Sequence, residues 1–265
     1  MESLNSFYNR YKKKFRPKFN VREDNCKGNF IVIEGPDASG KETQTGLLVE
    51  WLRDSSYSDI DSDTQKEIVE KMPGKYPDPS SDKVKDSIED GVWRLSFPTY
   101  GQTPGGRVVK AYLDGRLGDR EDLSMSEIVD IFAADRKQFR FLIEEFLSEG
   151  GIIVCDRYRE ANLIHQLVDF EGEEWEEKLE QFKAIDADLP DADKVFYIDI
   201  SPEEALRRMA DKDKDMHELD DSYMKKANLN GRKVAEHEGW KVIDGERPEE
   251  EVFESLKEVI ESEVI

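Results

Sequence analysis

Residues 30–45 read Phe-Ile-Val-Ile-Glu-Gly-Pro-Asp-Ala-Ser-Gly-Lys-Glu-Thr-Gln-Thr, an apolar run that turns into a loop ahead of a helical pattern. Phe30 to Ile33 reads as a buried strand. Gln44, Leu47, Leu48, Trp51 and Leu52 then recur at helical spacing. Between them Gly35, Gly40 and Lys41 fit the G-x-x-x-x-G-K part of the phosphate-binding P-loop, in the strand–loop–helix context that this pattern requires. Glycines let the backbone curl so that successive N–H groups face phosphate oxygens, and the dipole of the following helix favours the same anion. Gly35, Asp37, Ala38, Ser39, Gly40, Lys41, Glu42 and Thr43 are therefore the expected nucleotide cradle. Lys41 would reach the β- and γ-phosphates as a point charge. A chance glycine-rich turn is the plain alternative.

One position departs from the pattern. The Ser or Thr that normally follows the lysine and touches magnesium is here Glu42. Its charge suits a helix N-terminus but not a triphosphate. Glu42 is expected to point away from the nucleotide, with Thr43 or a water serving the metal. A loop that has lost catalysis is the alternative.

The 265 residues suffice for one large α/β domain with insertions. There are 61 acidic and 39 basic residues, a net charge of −22 spread along the chain. Such a surface argues against nucleic acid or an anionic membrane as the main partner. Salt would screen the self-repulsion, so a high-salt habitat is one explanation that the plentiful lysine leaves open. Cys26 and Cys155 are too few for a disulfide framework and suggest a reducing cytosol. No apolar stretch approaches roughly 18 residues, and no signal-peptide core opens the chain. A soluble cytoplasmic protein is expected.

Residues 1–28 form a polar extension with Arg10, Lys12, Lys13, Lys14, Arg16 and Lys18 clustered, either solvated or contacting a partner. The folded domain is expected over 29–265, with a turn-rich surface insertion at 54–92. Further strands are read at Arg94 to Phe97, Ile152 to Cys155, Val195 to Ile200 and Trp240 to Ile243. Helices are read from Val108 to Leu113, from Ala161 to Phe170, from Pro202 to Met209, and along Val252, Phe253, Leu256, Val259 and Ile260. A long helix capped by Ser124 or Ser126 would run to about Ser148, with Ile128, Ile131, Phe132, Phe139, Leu142, Ile143 and Phe146 inward. The alternation of strands and helices predicts an α/β fold with a mostly parallel sheet covered on both faces. Ligands of such sheets sit beyond the carboxyl ends of the strands. Gly35 onward, Phe97-Pro98 and Asp156-Arg157 all fall at such ends, on one rim.

Phe97-Pro98-Thr99-Tyr100, Phe132-Ala133-Ala134-Asp135-Arg136 and Asp156-Arg157-Tyr158 follow the P-loop in that order. With Gly35, Asp37, Gly40, Lys41, Thr43 and Gln44, and with Thr103 and Gly106, this set resembles the thymidylate kinase family over about residues 29–260. The resemblance implies a three-layer P-loop kinase fold with a five-stranded, mostly parallel sheet and a lid, here residues 209–222. It implies transfer of the ATP γ-phosphoryl to dTMP, with Mg²⁺, and commonly a homodimer. Lys41, Asp37, Asp156 and Arg157 would be the catalytic set. Arg157 would hold the acceptor monophosphate, and Asp37 would accept from the sugar 3′-hydroxyl. Asp156 and Thr43 would serve the metal. Phe132 would stack on the base, Arg136 would donate to a thymine carbonyl, and Phe97, Tyr158 and Gln166 would line the pocket. Another pyrimidine nucleotide or a deoxynucleoside as acceptor, or a nucleotide-binding module with little turnover, are the competing functions.

Plain alternatives exist for the single residues. Phe132 and Tyr100 could be core, Arg136 could pair at the surface with Asp135 or Asp130, and Asp156-Arg157 could cap a helix. Gln166 could be merely exposed, and His165 is read as an ordinary polar position. Two departures from the family stand out. The arginine often found beside the phenylalanine–proline pair is absent, leaving Arg94 or Arg107 as substitutes. The lid has no arginine, so Arg208, Lys212 or Lys214 would have to supply the catalytic charge.

Overall fold

The computed structural model describes residues 27–58, 60, 63–65, 67, 88–100, 103–118, 122–212 and 221–265, the side chains of Asp211, Lys212 and Asp221 excepted. The basic N-terminal cluster, Cys26, most of the segment 54–92 that was read as a surface insertion, Lys214, His217 and Glu218 lie outside the described residues, while 54–55 belong to a helix and 88–89 and 92 to the sheet.

Strand β1 (Asn29–Glu34) is the middle of the sheet. Phe30, Ile31, Val32 and Ile33 are fully buried, because a parallel strand with helices on both faces has no side left for water. Parallel neighbours are β4 (Ile152–Asp156) and β5 (Lys194–Asp199), with β3 (Val92–Ser96) beyond β4 and β6 (Lys241–Asp244) beyond β5. A two-residue strand, β2 (Ile88–Glu89), pairs antiparallel with β3. The order β2-β3-β4-β1-β5-β6 thus contains the five parallel strands expected and adds a short antiparallel edge.

Alternate residues of each strand serve opposite faces. Phe30, Val32, Trp93, Leu95 and Ile153 pack with Phe139, Ile143 and Phe146. Ile31, Ile33, Val92, Val154 and Ile198 pack with Leu48 and Leu52 of α1 (Lys41–Ser55) and with Leu256 and Ile260 of a C-terminal helix, Glu249–Glu263. Three layers result.

The long helix expected up to Ser148 is broken. Helix α2 (Pro104–Leu113) comes first, then α3 (Met125–Lys137) and α4 (Arg140–Ser148). Ser124, not Ser126, caps α3, in a capping box with Glu127. At the break the chain tightens, with Phe139 N–H donating to Arg136 O at 2.9 Å. The cause is local. Gln138 turns back to donate to Thr103 Oγ1 (2.6 Å) and Asp135 Oδ1 (2.7 Å), while Phe139 enters the core 5.4 Å from Phe97. Ile128, Ile131, Phe139, Leu142, Ile143 and Phe146, the residues expected to face inward, are all buried within the chain itself.

Further helices are α5 (Glu160–Gln166), shorter than expected, α6 (Gly172–Ile185), α7 (Pro202–Lys212), α8 (Asp221–Glu238) and the C-terminal α9 (Glu249–Glu263). Among the described residues no helix is long and apolar enough to cross a membrane.

Candidate active site

The loop after β1 is shaped by two glycines. At Gly35 a Cβ would lie 2.7 Å from Ser39 Oγ and 2.8 Å from Ile198 O, so nothing larger fits. Gly40 caps α1 at φ 91°, a left-handed conformation that glycine adopts without a Cβ penalty. Lys41 follows, buried, with Nζ donating to Pro36 O at 3.0 Å and 3.6 Å from Asp37 Oδ1. Burial, then the charge of Arg157, push the Lys41 pKa down to about 8, against the pull of Asp37, Asp156 and Glu34.

The turn after β4 faces this loop. Arg157 sits at φ 63°, strained for a non-glycine residue. Its backbone is stitched to β1, with Arg157 N–H donating to Ile33 O at 3.1 Å and Tyr158 N–H donating to Glu34 Oε1 at 2.9 Å. The guanidinium pairs with Asp37 through Nη2 and contacts His165 Nε2 through Nη1 at 2.8 Å. Burial alone would raise the Asp37 carboxyl, but the Arg157 and Lys41 charges outweigh it and hold it below the ordinary range. Lys41 and Arg157, one cation from each side, thus meet at one carboxylate.

Glu34 and Asp156 lie beneath. Glu34 is fully buried, and burial pushes its pKa up to about 8. Asp156 is raised by burial, lowered by Lys41 and Arg157, and raised again by the nearby Glu42. Among the described residues Asp156 Oδ1 has no hydrogen-bond partner. Glu42 and Thr43 are exposed on the first turn of α1, and the Glu42 carbonyl accepts from Arg94 Nη2 at 3.3 Å. Arg94 therefore stands on the P-loop side of the site. Arg107 is exposed and does not line the cleft.

A cleft of about 390 Å³ opens beside Arg157, within the size range of small-molecule sites. Phe97, Phe132, Arg136, Tyr158 and Gln166 line it, as does Tyr100. Phe132 is partly exposed, its ring edge-on to Tyr112 at 6.0 Å. Tyr158 is fully buried and packs against Phe30 at 4.9 Å, so it forms the wall more than it reaches into the space. Gln166 is buried, not merely exposed, and Tyr100 is half-exposed at φ 47°, not core. Arg136 makes no surface pair with Asp135 or Asp130. It is buried and paired with Asp186 at 2.7 Å, and Asp186 also accepts from Asn162 Nδ2 at 3.2 Å.

Thr99, beside the Phe97-Pro98 pair where the family often has a phosphate-binding arginine, is used in the fold. Its N–H and Oγ1 donate to the two oxygens of Asp135, each at 2.6 Å, and Thr103 Oγ1 adds a bond of 2.8 Å. This knot fixes the Phe97-Pro98 segment on α3. Arg208 is likewise occupied. Nη1 donates to Ala38 O at 3.3 Å, Nη2 to Gly245 O at 2.8 Å and Nε to Glu204 Oε1 at 2.6 Å.

Sequence reasoning missed Glu34, Asp135, Asp186, His165 and Tyr223. Glu34 had a signal, a carboxylate ending an apolar strand run just before a glycine. His165 and Tyr223 had none, since their meeting depends on how α5 and α8 pack.

Comparison with known proteins decides the family. The family model described as thymidylate kinase matches residues 82–256. The chain belongs to the thymidylate kinase family. The P-loop precedes the matched segment, so its part in the site stands on its own geometry. The thymidylate kinase of Acaryochloris marina is 30% identical over 190 residues, covering 71% of this chain and 72% of that protein. A probable thymidylate kinase of Methanococcus aeolicus is 26% identical over 244 residues, covering 89% and 98%. The solved thymidylate kinase of Candida albicans has the same fold, with a TM-score of 0.59 at 21% identity over 89% of this chain and 92% of that one.

Proposed function

We infer that this chain transfers the γ-phosphoryl group of ATP to the monophosphate of dTMP, giving dTDP, the reaction of the family to which it belongs. The observation that carries this reading is the Asp37 carboxylate shared by Lys41 and Arg157. One cation comes from a phosphate-cradling loop and the other from the wall of a nucleotide-sized cleft. Phosphoryl transfer asks mainly for in-line positioning and charge neutralisation, and two cations at one seam supply both.

In this reading Lys41 neutralises the transferred group, and Arg157 presents a planar fork to the acceptor phosphate. Asp37, released from these cations as phosphates take them, accepts from the sugar. Phe132 stacks on the base, and Arg136, held from behind by Asp186, donates to a thymine carbonyl. Mg²⁺ fits the donor set. Asp156 offers a buried oxygen without a partner among the described residues, and Thr43 and Glu42 are exposed at the helix start. The ion would neutralise charge on the β- and γ-phosphates.

A panel of nucleosides and nucleoside monophosphates, assayed for coupled ATP consumption at low and high salt, tests the reading. The expected result is turnover with dTMP above all other acceptors. No consumption above background with millimolar dTMP at either salt would remove it.

A further inference from the structure

His165 is a group in this site to which neither the P-loop nor the family resemblance gave a task. It lies on the last turn of α5 and lines the cleft. Its Nε2 is 2.8 Å from Arg157 Nη1. An arginine carries only donors, so Nε2 must accept. The ring proton then sits on Nδ1, which faces Tyr223 Oη at 3.4 Å. Tyr223 Oη also donates to His165 O at 3.3 Å, and the two rings lie 21° from parallel. The imidazole is thus held from its far edge by the first turn of α8 and offers one lone pair to the guanidinium. Burial, and then the Arg157 charge, push its pKa down to about 3, so it is neutral at working pH.

We propose that His165 is the positioning residue of the acceptor-phosphate arginine, a neutral acceptor that aims the Arg157 guanidinium without cancelling its charge. The inference rests on the reading that Arg157 binds the acceptor phosphate. The physical distinction is between the two holds on Arg157. Asp37 orients the guanidinium but also neutralises it, and an incoming phosphate competes with that carboxylate. His165 orients it at no cost in net charge, and it can stay in contact while a phosphate binds the remaining N–H groups. Arg157 is also fixed at its backbone, where the strained turn is bonded to Ile33 O. With one end fixed there and one arm held by His165, the side chain loses little further freedom when the phosphate arrives.

Steady-state kinetics of H165F, H165Q and R157A test this, with thermal melts to confirm folding and H165L in reserve if H165F does not fold. H165F keeps a ring and removes the acceptor. H165Q places an amide oxygen near the position of Nε2. The expected result for H165F is a rise in KM for dTMP of about 10- to 100-fold, the scale of a lost bond to a charged group, with KM for ATP unchanged. H165Q restores KM for dTMP to near the wild-type value. An unchanged KM for dTMP in H165F overturns the proposal. So does equal impairment of H165F and H165Q, which would make ring packing the cause. R157A separates the premise from the inference. If R157A leaves KM for dTMP unchanged, the acceptor-phosphate reading of Arg157 fails. If R157A raises it and H165F does not, only the role of His165 fails.

Discussion

Arg157 and Asp37, 120 positions apart, are ion-paired across the seam between the P-loop and the neighbouring cleft. The same carboxylate lies 3.6 Å from Lys41 Nζ. Two like charges are thereby kept close before any nucleotide enters, because an anion between them offsets their repulsion. D37N would leave the cations repelling each other and unaligned. Its kcat/KM for dTMP is expected to fall about 10²-fold, the scale of a misplaced catalytic group, while its melting temperature stays near wild type. Kinetics beside a thermal melt check this, and an unchanged kcat/KM would contradict it.

Lys41 gives a pH dependence with a definite sign. In the free enzyme its pKa is lowered to about 8, so its charge is lost as pH rises through that value. The parameter kcat/KM for ATP reports the free enzyme and should fall above about pH 8. Bound phosphate restores the proton's advantage, so kcat should hold to higher pH. K41M should lose about 10²- to 10³-fold in kcat and keep its fold. Superimposable pH profiles for the two parameters would count against this account.

Glu34 makes stability depend on pH in the opposite direction to an ordinary carboxylate. Its pKa is raised from 4.5 to about 8 by burial. The stability that the protonated group allows is fully present below about 4.5 and is lost as pH rises through 8. E34Q keeps an acceptor for Tyr158 N–H and cannot ionise. Thermal melts from pH 5 to pH 9 should show the variant gaining on wild type as pH rises. Parallel curves would show that Glu34 does not titrate in this window.

The pair of Arg136 and Asp186 is buried on both sides. D186A would leave the guanidinium charged and uncompensated, at an expected loss of about 3–5 kcal/mol in unfolding free energy. Replacing both, as R136M/D186L, should recover much of that stability while KM for dTMP stays raised, because the double variant lacks the guanidinium proposed to donate to the thymine. Denaturant unfolding and kinetics on the same samples decide it.

Arg208 separates a brace from a catalyst. Bonded to Ala38 O and Gly245 O, it holds the outer side of the P-loop. R208M should raise KM for ATP about tenfold, the scale of a lost charged hydrogen bond, with a smaller change in kcat. A large fall in kcat at constant KM would instead make Arg208 the catalytic arginine.

The parts of this architecture that were legible in the sequence are the local ones. Phe30 to Ile33, Ile152 to Cys155 and Val195 to Ile200 announce themselves as buried parallel strands because both faces are apolar, and the P-loop is contiguous. What depends on distant partners was not legible. The break at Gln138 arises from a knot of Thr99, Thr103 and Asp135 on three separate elements, while the local apolar pattern runs through it uninterrupted. Arg136 was read as a pocket residue, but its buried pairing with Asp186 was not legible because that partner is fifty positions away. His165 gave no signal, since only the packing of α5 against α8 places Tyr223 behind it.

The central claim is that Lys41 and Arg157 serve two different phosphates of one reaction. Initial rates of ATP consumption at varied dTMP and varied ATP, for wild type, K41M and R157A, test it most directly. The account predicts that K41M loses mainly kcat with both substrates saturating, whereas R157A raises KM for dTMP and leaves KM for ATP unchanged. If R157A instead raises KM for ATP and spares KM for dTMP, the assignment of the two cations is wrong.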